Sequence, residues 1–175
     1  MNLSTKYFGA PLWLWGGLGL TLIIAAKPAV SAVSKAYDLS KLHPDFKRRV
    51  QQWLDAVSNA GYVVKITETL RDASRQAQLE AQGSSTVKTS YHQSGLAIDY
   101  IVTDTPTGKV APYKGTAAEL KALSDVAQIA KRFGMRWGGD WTSFKDGYHL
   151  ELDTPIRITE AFARYQRQGQ NWSLV

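Results

Sequence analysis

From Pro44 onward, apolar residues recur every three or four positions, at Phe46, Val50, Trp53, Leu54 and Val57, and the run stops at Gly61. That spacing places them on one stripe and predicts a helix that buries it. Residues 62–67 read as a strand. Asp72 can cap a helix running to Gly83, where the lack of a side chain suits the left-handed position after a helix. Leu96 and Ile98 alternate with Gly95 and Ala97, which predicts a strand over 96–102, followed by a turn-rich loop over 103–115. Thr116-Ala117-Ala118-Glu119 is a capping box, and the helix it opens is expected to end at Gly134. Residues 136–137 and 148–152 read as strands. Residues 159–168 read as a terminal helix whose arginines, with Arg157 just before it, mark a solvated face. No internal repeat is present. The pattern is α+β in a single domain, residues 41–175, behind an Ala/Ser/Lys linker at 28–40.

The first residues follow a different pattern. Residues 8–26 carry no charge and are flanked by Lys6 and Lys27. As a helix they would be about 28 Å long, close to the ~30 Å hydrocarbon core of a bilayer. Gly9, Gly16, Gly17 and Gly19 make the segment weakly apolar, while Trp13 and Trp15 suit an interface. Residues 1–27 are therefore expected to be a signal peptide, with Val30-Ser31-Ala32 as a small-residue cleavage site, or a signal anchor. A third reading is a signal-arrest-release segment of the kind some phage endolysins carry, which this stretch resembles. Each reading puts the domain beyond the inner membrane, in the periplasm or wall space.

Composition narrows the chemistry. At 175 residues the chain has room for one domain with a real core. It has no cysteine, so disulfides and thiolate ligands are excluded and any metal must be held by histidine and carboxylate. The net charge of +6 suits an anionic surface. No basic cluster is longer than Lys47-Arg48-Arg49, so nucleic acid is not an expected partner.

Two of the three histidines fall in segments that carry chemistry. Ser90-Tyr91-His92-Gln93-Ser94-Gly95-Leu96-Ala97-Ile98-Asp99 is answered fifty residues later by Asp146-Gly147-Tyr148-His149. A strand leading from a histidine-bearing turn to Asp99 lets His92 and Asp99 converge on one face. Two imidazoles and a carboxylate can hold one metal and leave a fourth position for water, which a nearby carboxylate could deprotonate. Taken from spacing alone, these side chains could equally be hydrogen-bonded residues of a strand and a turn.

Ser-x-His-x-x-Gly-x-Ala-x-Asp with a late Asp-x-x-His resembles the zinc D-Ala-D-Ala metallopeptidases of peptidoglycan. Trp137-Gly138-Gly139-Asp140-Trp141, then Phe144, Asp146, His149 and Glu151, is similar to the L-alanyl-D-glutamate endopeptidase branch, which includes phage endolysins. The resemblance implies a Hedgehog/D,D-peptidase-like fold with a small antiparallel sheet flanked by helices. It implies Zn2+ held by His92, Asp99 and His149, with Asp146 as the catalytic base where many relatives have Glu. Glu151 would share a strand face with His149 and reads as its partner rather than as a rival base. Thr69-Leu70-Arg71 and Gln76 are similar to the segment that binds substrate, with Arg71 holding a peptide carboxylate through paired hydrogen bonds. Gly83-Ser84-Ser85 departs from relatives that have arginine after the glycine. Trp137 and Trp141 read as packing beneath the site rather than as sugar platforms.

The implied activity is zinc-dependent cleavage of the peptidoglycan stem peptide between L-Ala and D-Glu, degrading the cell wall and lysing the host. The alternatives are a D,D- or L,D-carboxypeptidase and, outside enzymes, a zinc-bearing wall-binding module without activity. The expected partners are the stem peptide and, through residues 8–26, the inner membrane. A monomer is expected.

Overall fold

In the computed structural model, residues 38–104 and 114–175 are described. The predicted membrane or signal segment, most of the linker and residues 105–113 of the predicted loop lie outside them. No helix among the described residues is long and apolar enough to cross a membrane.

The first helix, α1 (Pro44–Asn59), buries Phe46, Val50, Trp53, Leu54 and Val57, the five positions of the apolar stripe. Pro44 occupies its first turn, and His43 caps it, the ring Nδ1 accepting from the Asp45 N–H. Strand β1 (Val63–Glu68) follows, one residue later than predicted. Helix α2 (Ala73–Ala81) is capped by the Asp72 side chain, which accepts from the Arg75 N–H. Strand β2 is Ala97–Asp104, two residues longer than predicted at its far end. Helix α3 (Ala117–Lys131) opens with the expected capping box, Thr116 and Glu119 each satisfying the other's backbone. Then come β3 (Met135–Trp137), β4 (His149–Leu152) and α4 (Ile158–Gln168).

The strands form one antiparallel sheet in the order β1-β2-β4-β3. Helices α1 and α3 pack together and against β1 and β3. Trp53 joins the layers: its indole donates to the Val126 carbonyl at 3.1 Å, and its ring meets Tyr100 of β2 edge-on at 5.3 Å.

Residues 38–40 of the supposed linker are already folded, since Asp38 caps a 3-10 turn at Leu39–Lys41 and Leu39 packs against the core. Past α4 the chain folds back onto the domain. Trp172, 1% exposed, tucks back so that its indole donates to the Ser94 carbonyl, while its own carbonyl accepts from His43 Nε2 at 2.7 Å. The tail and α4 thereby brace the short turn that carries His92.

Candidate metal centre and its cleft

His92 sits in a 3-10 turn, Tyr91–Ser94, closed by a capping box in which the Ser90 hydroxyl accepts backbone N–H groups and Gln93 accepts from the Ser90 N–H at 3.0 Å. Gly95 then takes a left-handed conformation, φ 71°. A Cβ there would lie 2.9 Å from the His43 backbone nitrogen, so the position demands glycine for both conformation and space. This reversal feeds β2. The register of β2 on β4 pairs Asp99 directly with His149, and the turn lays His92 beside them.

Three atoms converge. His92 Nε2 lies 3.1 Å from Asp99 Oδ1 and 3.3 Å from His149 Nδ1, and His149 Nδ1 lies 3.1 Å from the same oxygen. A tetrahedral ion with bonds of ~2.0–2.1 Å spaces its ligand atoms roughly 3.3 Å apart, so the triangle has the right size. The outward partners fix which atoms face inward. His92 Nδ1 donates to the Thr69 carbonyl at 2.7 Å, leaving its Nε2 lone pair toward the centre. His149 Nε2 donates to Glu151 Oε2 at 3.2 Å, leaving Nδ1 toward the centre. Such outer acceptors orient metal-bound imidazoles. Burial disfavours charge on His149, yet Asp99 and Glu151 outweigh it and push its pKa up to about 9. Burial likewise opposes ionisation of Asp99, but the two histidines hold its carboxyl well below the usual range. The pocket thus favours a cation at its centre, and the donor set fits a divalent metal.

Arg71 belongs to this arrangement more closely than its sequence role implied. One end of its guanidinium meets Glu68 and lies 3.4 Å from Asp99 Oδ2, the oxygen turned away from the triangle. The other donates to Gln76 Oε1 at 2.9 Å. Its Nε is buried without a hydrogen-bond partner among the described residues. Arg71 therefore holds the Asp99 carboxylate in place as well as lining the cleft. Gln76 requires a correction. It is 1% exposed, its carbonyl takes the Arg71 bond, and its amide donates to Ser85 Oγ and the Val87 carbonyl. With every polar group committed inside the protein, it fastens Arg71 to the 84–87 loop rather than meeting substrate.

Asp146 lies at the mouth of the site, its side chain accepting from the Tyr148 N–H at 3.1 Å. Burial, reinforced by the negative charge of Asp99, raises its carboxyl above the ordinary range. The two glycines of the Trp-Gly-Gly-Asp-Trp run are explained by contacts. A Cβ on Gly138 would come within 2.5 Å of the Asp146 carbonyl oxygen, and one on Gly139 within 2.3 Å of the Trp137 ring. The turn can therefore lie directly on the loop that carries Asp146. Trp137 packs against the core with its indole donating to the Gly147 carbonyl, as expected. Trp141 instead lines the cleft, its ring centroid 5.1 Å from that of His149.

The cleft has a volume of about 860 Å³ and takes in the triangle, Asp146, Glu68, Arg71, Arg75, Trp141 and Phe144. Several of its residues went unnoticed in the sequence, Glu68, Arg75 and Arg136 among them. Glu68 could have been suspected, because it ends β1 opposite Asp99. Arg136, paired with Glu151 Oε1 at 2.7 Å and stacked over Tyr91, lies in an ordinary strand pattern that gives no signal.

Residues 83–152 match a family described as D-alanyl-D-alanine carboxypeptidase. The peptidoglycan L-alanyl-D-glutamate endopeptidase CwlK of Bacillus subtilis is 36% identical over 125 residues, covering 65% of this chain and 74% of that protein. The chain belongs to this peptidase family. An L-alanyl-D-glutamate peptidase from a Listeria phage is 32% identical over 127 residues, 73% of this chain and 43% of its own length. Among solved structures, the L-Ala D-Glu endopeptidase ChiX of Serratia marcescens aligns with a TM-score of 0.55 and 27% identity, over 69% of this chain and 86% of that one. The small antiparallel sheet with flanking helices is the fold shared with that enzyme.

Proposed function

We propose that the protein is a zinc-dependent peptidoglycan endopeptidase that hydrolyses the stem peptide between L-Ala and D-Glu. The observation that carries this reading is the triangle of His92 Nε2, Asp99 Oδ1 and His149 Nδ1, each fixed from outside, in a chain related to L-alanyl-D-glutamate endopeptidases. When bound, zinc supplies a water acidic enough to be deprotonated near neutral pH and a Lewis acid for the scissile carbonyl.

The residues of the chain do the rest. Asp146, its carboxyl raised above the ordinary range by burial and by Asp99, takes a proton from the attacking water and delivers it to the leaving amine as the C–N bond breaks. Arg71 and Glu68 keep Asp99 turned to the centre. Arg71 and the exposed Arg75 make one wall of the cleft cationic, in keeping with the free carboxylate of a D-glutamyl residue.

Mass spectrometry of muropeptides after digestion of purified peptidoglycan tests the assignment. New amino-terminal D-Glu on released peptides is expected. Release of single D-Ala residues would refute it and favour the carboxypeptidase alternative.

The working place proposed for this activity is outside the inner membrane, with residues 8–26 delivering the domain. This rests on the uncharged run between Lys6 and Lys27. Replacing Gly16, Gly17 and Gly19 with Leu should keep the protein in the membrane fraction after depolarisation. A mature amino terminus near Val33 in untreated cells would show cleavage instead of anchoring.

A further inference from the structure

Three of the tryptophans in the described residues spend their indole N–H inside the protein. Trp53 donates to the Val126 carbonyl, Trp137 to Gly147 and Trp172 to Ser94. Trp141 is the exception among the described residues. It is only half-buried, its N–H has no hydrogen-bond partner among the described residues, and its ring lies tilted beside the His149 ring in the cleft. Three residues on, Phe144 is 44% exposed, one of the few large apolar side chains so open to water, and it lines the same cleft. An aromatic face with a free donor at its edge is suited to a ligand that is apolar on one face and rich in acceptors at its rim.

The position of this pair relative to the ligand triangle identifies the ligand. Both residues follow β3 at one edge of the sheet, whereas Arg71 and Arg75 follow β1 at the other, with Asp99 on β2 and His149 on β4 between them. A stem peptide cut between L-Ala and D-Glu has a matching polarity. Its D-Glu side carries free carboxylates. On its other side, L-Ala is joined through a lactyl group to the muramic acid sugar. One alanine and one lactyl unit, at ~3.3–3.6 Å each, put the sugar ring roughly 7 Å from the scissile carbonyl. The Trp141 ring stands next to the triangle, its centroid 5.1 Å from that of the His149 ring. The cleft, at about 860 Å³, also has far more room than a dipeptide fills.

We propose that Trp141, with Phe144, forms a subsite for the N-acetylmuramoyl sugar on the acyl side of the cleaved bond. The sugar stacks on the indole, and the indole N–H donates to an acceptor on its rim. This rests on the endopeptidase reading above, and it sets the direction in which the substrate lies: sugar toward the β3 edge, carboxylates toward the β1 edge.

The zinc-loaded full chain is given two substrates, N-acetylmuramoyl-L-Ala-D-Glu-L-Lys and the same peptide with acetyl in place of the muramoyl group. The wild type should prefer the sugar-bearing substrate by about tenfold in kcat/KM, seen mainly in KM. In Trp141→Ala that ratio should fall toward one, whatever the absolute rates. Trp141→Phe, which keeps a ring against His149, should hold an intermediate ratio and covers the case in which the alanine variant misfolds. In ¹⁵N spectra, the indole resonance missing from Trp141→Phe should shift when N-acetylmuramoyl-L-alanine is added to the wild type. A wild-type ratio of one, a ratio unchanged in Trp141→Ala, or an indole resonance that does not move each overturns the subsite. Cleavage of both peptides at some other bond, or of neither, refutes the endopeptidase reading itself, and the subsite with it.

Discussion

Glu151 serves two donors at once, His149 through Oε2 at 3.2 Å and Arg136 through Oε1 at 2.7 Å. Glutamine has the same shape but only one acceptor oxygen, because its amide nitrogen can only donate. Glu151→Gln therefore cannot satisfy both partners. The carboxylate is buried, whereas Arg136 is 42% exposed and has Asp153 3.9 Å from its Nε. The guanidinium should turn toward water and Asp153, and the remaining oxygen should stay with His149. Stability then falls by only about 1 kcal/mol, the low end for an unmet polar group. The metal site loses more, since the negative charge that raises the basicity of His149 is gone. Changing such an outer partner typically lowers affinity by ~10–100-fold, or about 1.4–2.8 kcal/mol. With the hydrogen bond itself retained, the loss should be about tenfold. Competition for zinc against a chromogenic chelator measures it, with circular dichroism to show that the fold is kept. Affinity within twofold of the wild type would refute this account of His149. A loss of turnover at saturating zinc larger than that of Asp146→Asn would make Glu151 the base.

His92→Ala and His149→Ala should each lose bound metal and lytic activity, and full zinc occupancy in either would sink the ligand assignment. Chelation of the wild type should abolish activity while leaving its circular dichroism spectrum unchanged, because the core around Trp53 and Tyr100 is held by apolar packing that does not need a metal. Asp146→Asn should keep zinc and fold but lose ~10²–10⁴-fold in turnover, the usual range for a lost general base; near-normal rates would exclude it from that role. Gly138→Ala forces a methyl to within 2.5 Å of the Asp146 carbonyl, so it should lower kcat far more than it lowers zinc affinity. An equal fall in both would place the damage at His149 rather than at Asp146.

The sequence by itself determined whatever depends on neighbours along the chain. The stripe of α1, the Asp72 cap, the Thr116 capping box and the Ser90–Gly95 turn are local arrangements of a few residues, and each appears where its pattern put it. His92, Asp99, Asp146 and His149 stood out through their resemblance to a family motif, since their spacing alone left them open as hydrogen-bonded residues of a strand and a turn. Tertiary structure decided everything that depends on pairing across the chain. That Asp99 faces His149 follows from the register of β2 on β4, and a one-residue slip would turn either side chain to the other face of the sheet. Arg71 could be read as a substrate anchor alone until Glu68, Gln76 and Asp99 were found around it, and Gln76 as an open contact until its amide was seen to be fully used. Trp137 and Trp141 look alike in sequence, yet packing gives one indole a carbonyl and leaves the other facing the cleft. Nothing in the sequence pattern marks Trp172, and only the folded chain shows it seated beneath the turn that carries His92. Local pattern records what a residue can do, but the hydrogen-bond partners that folding brings to it decide which of its atoms remain free to do it.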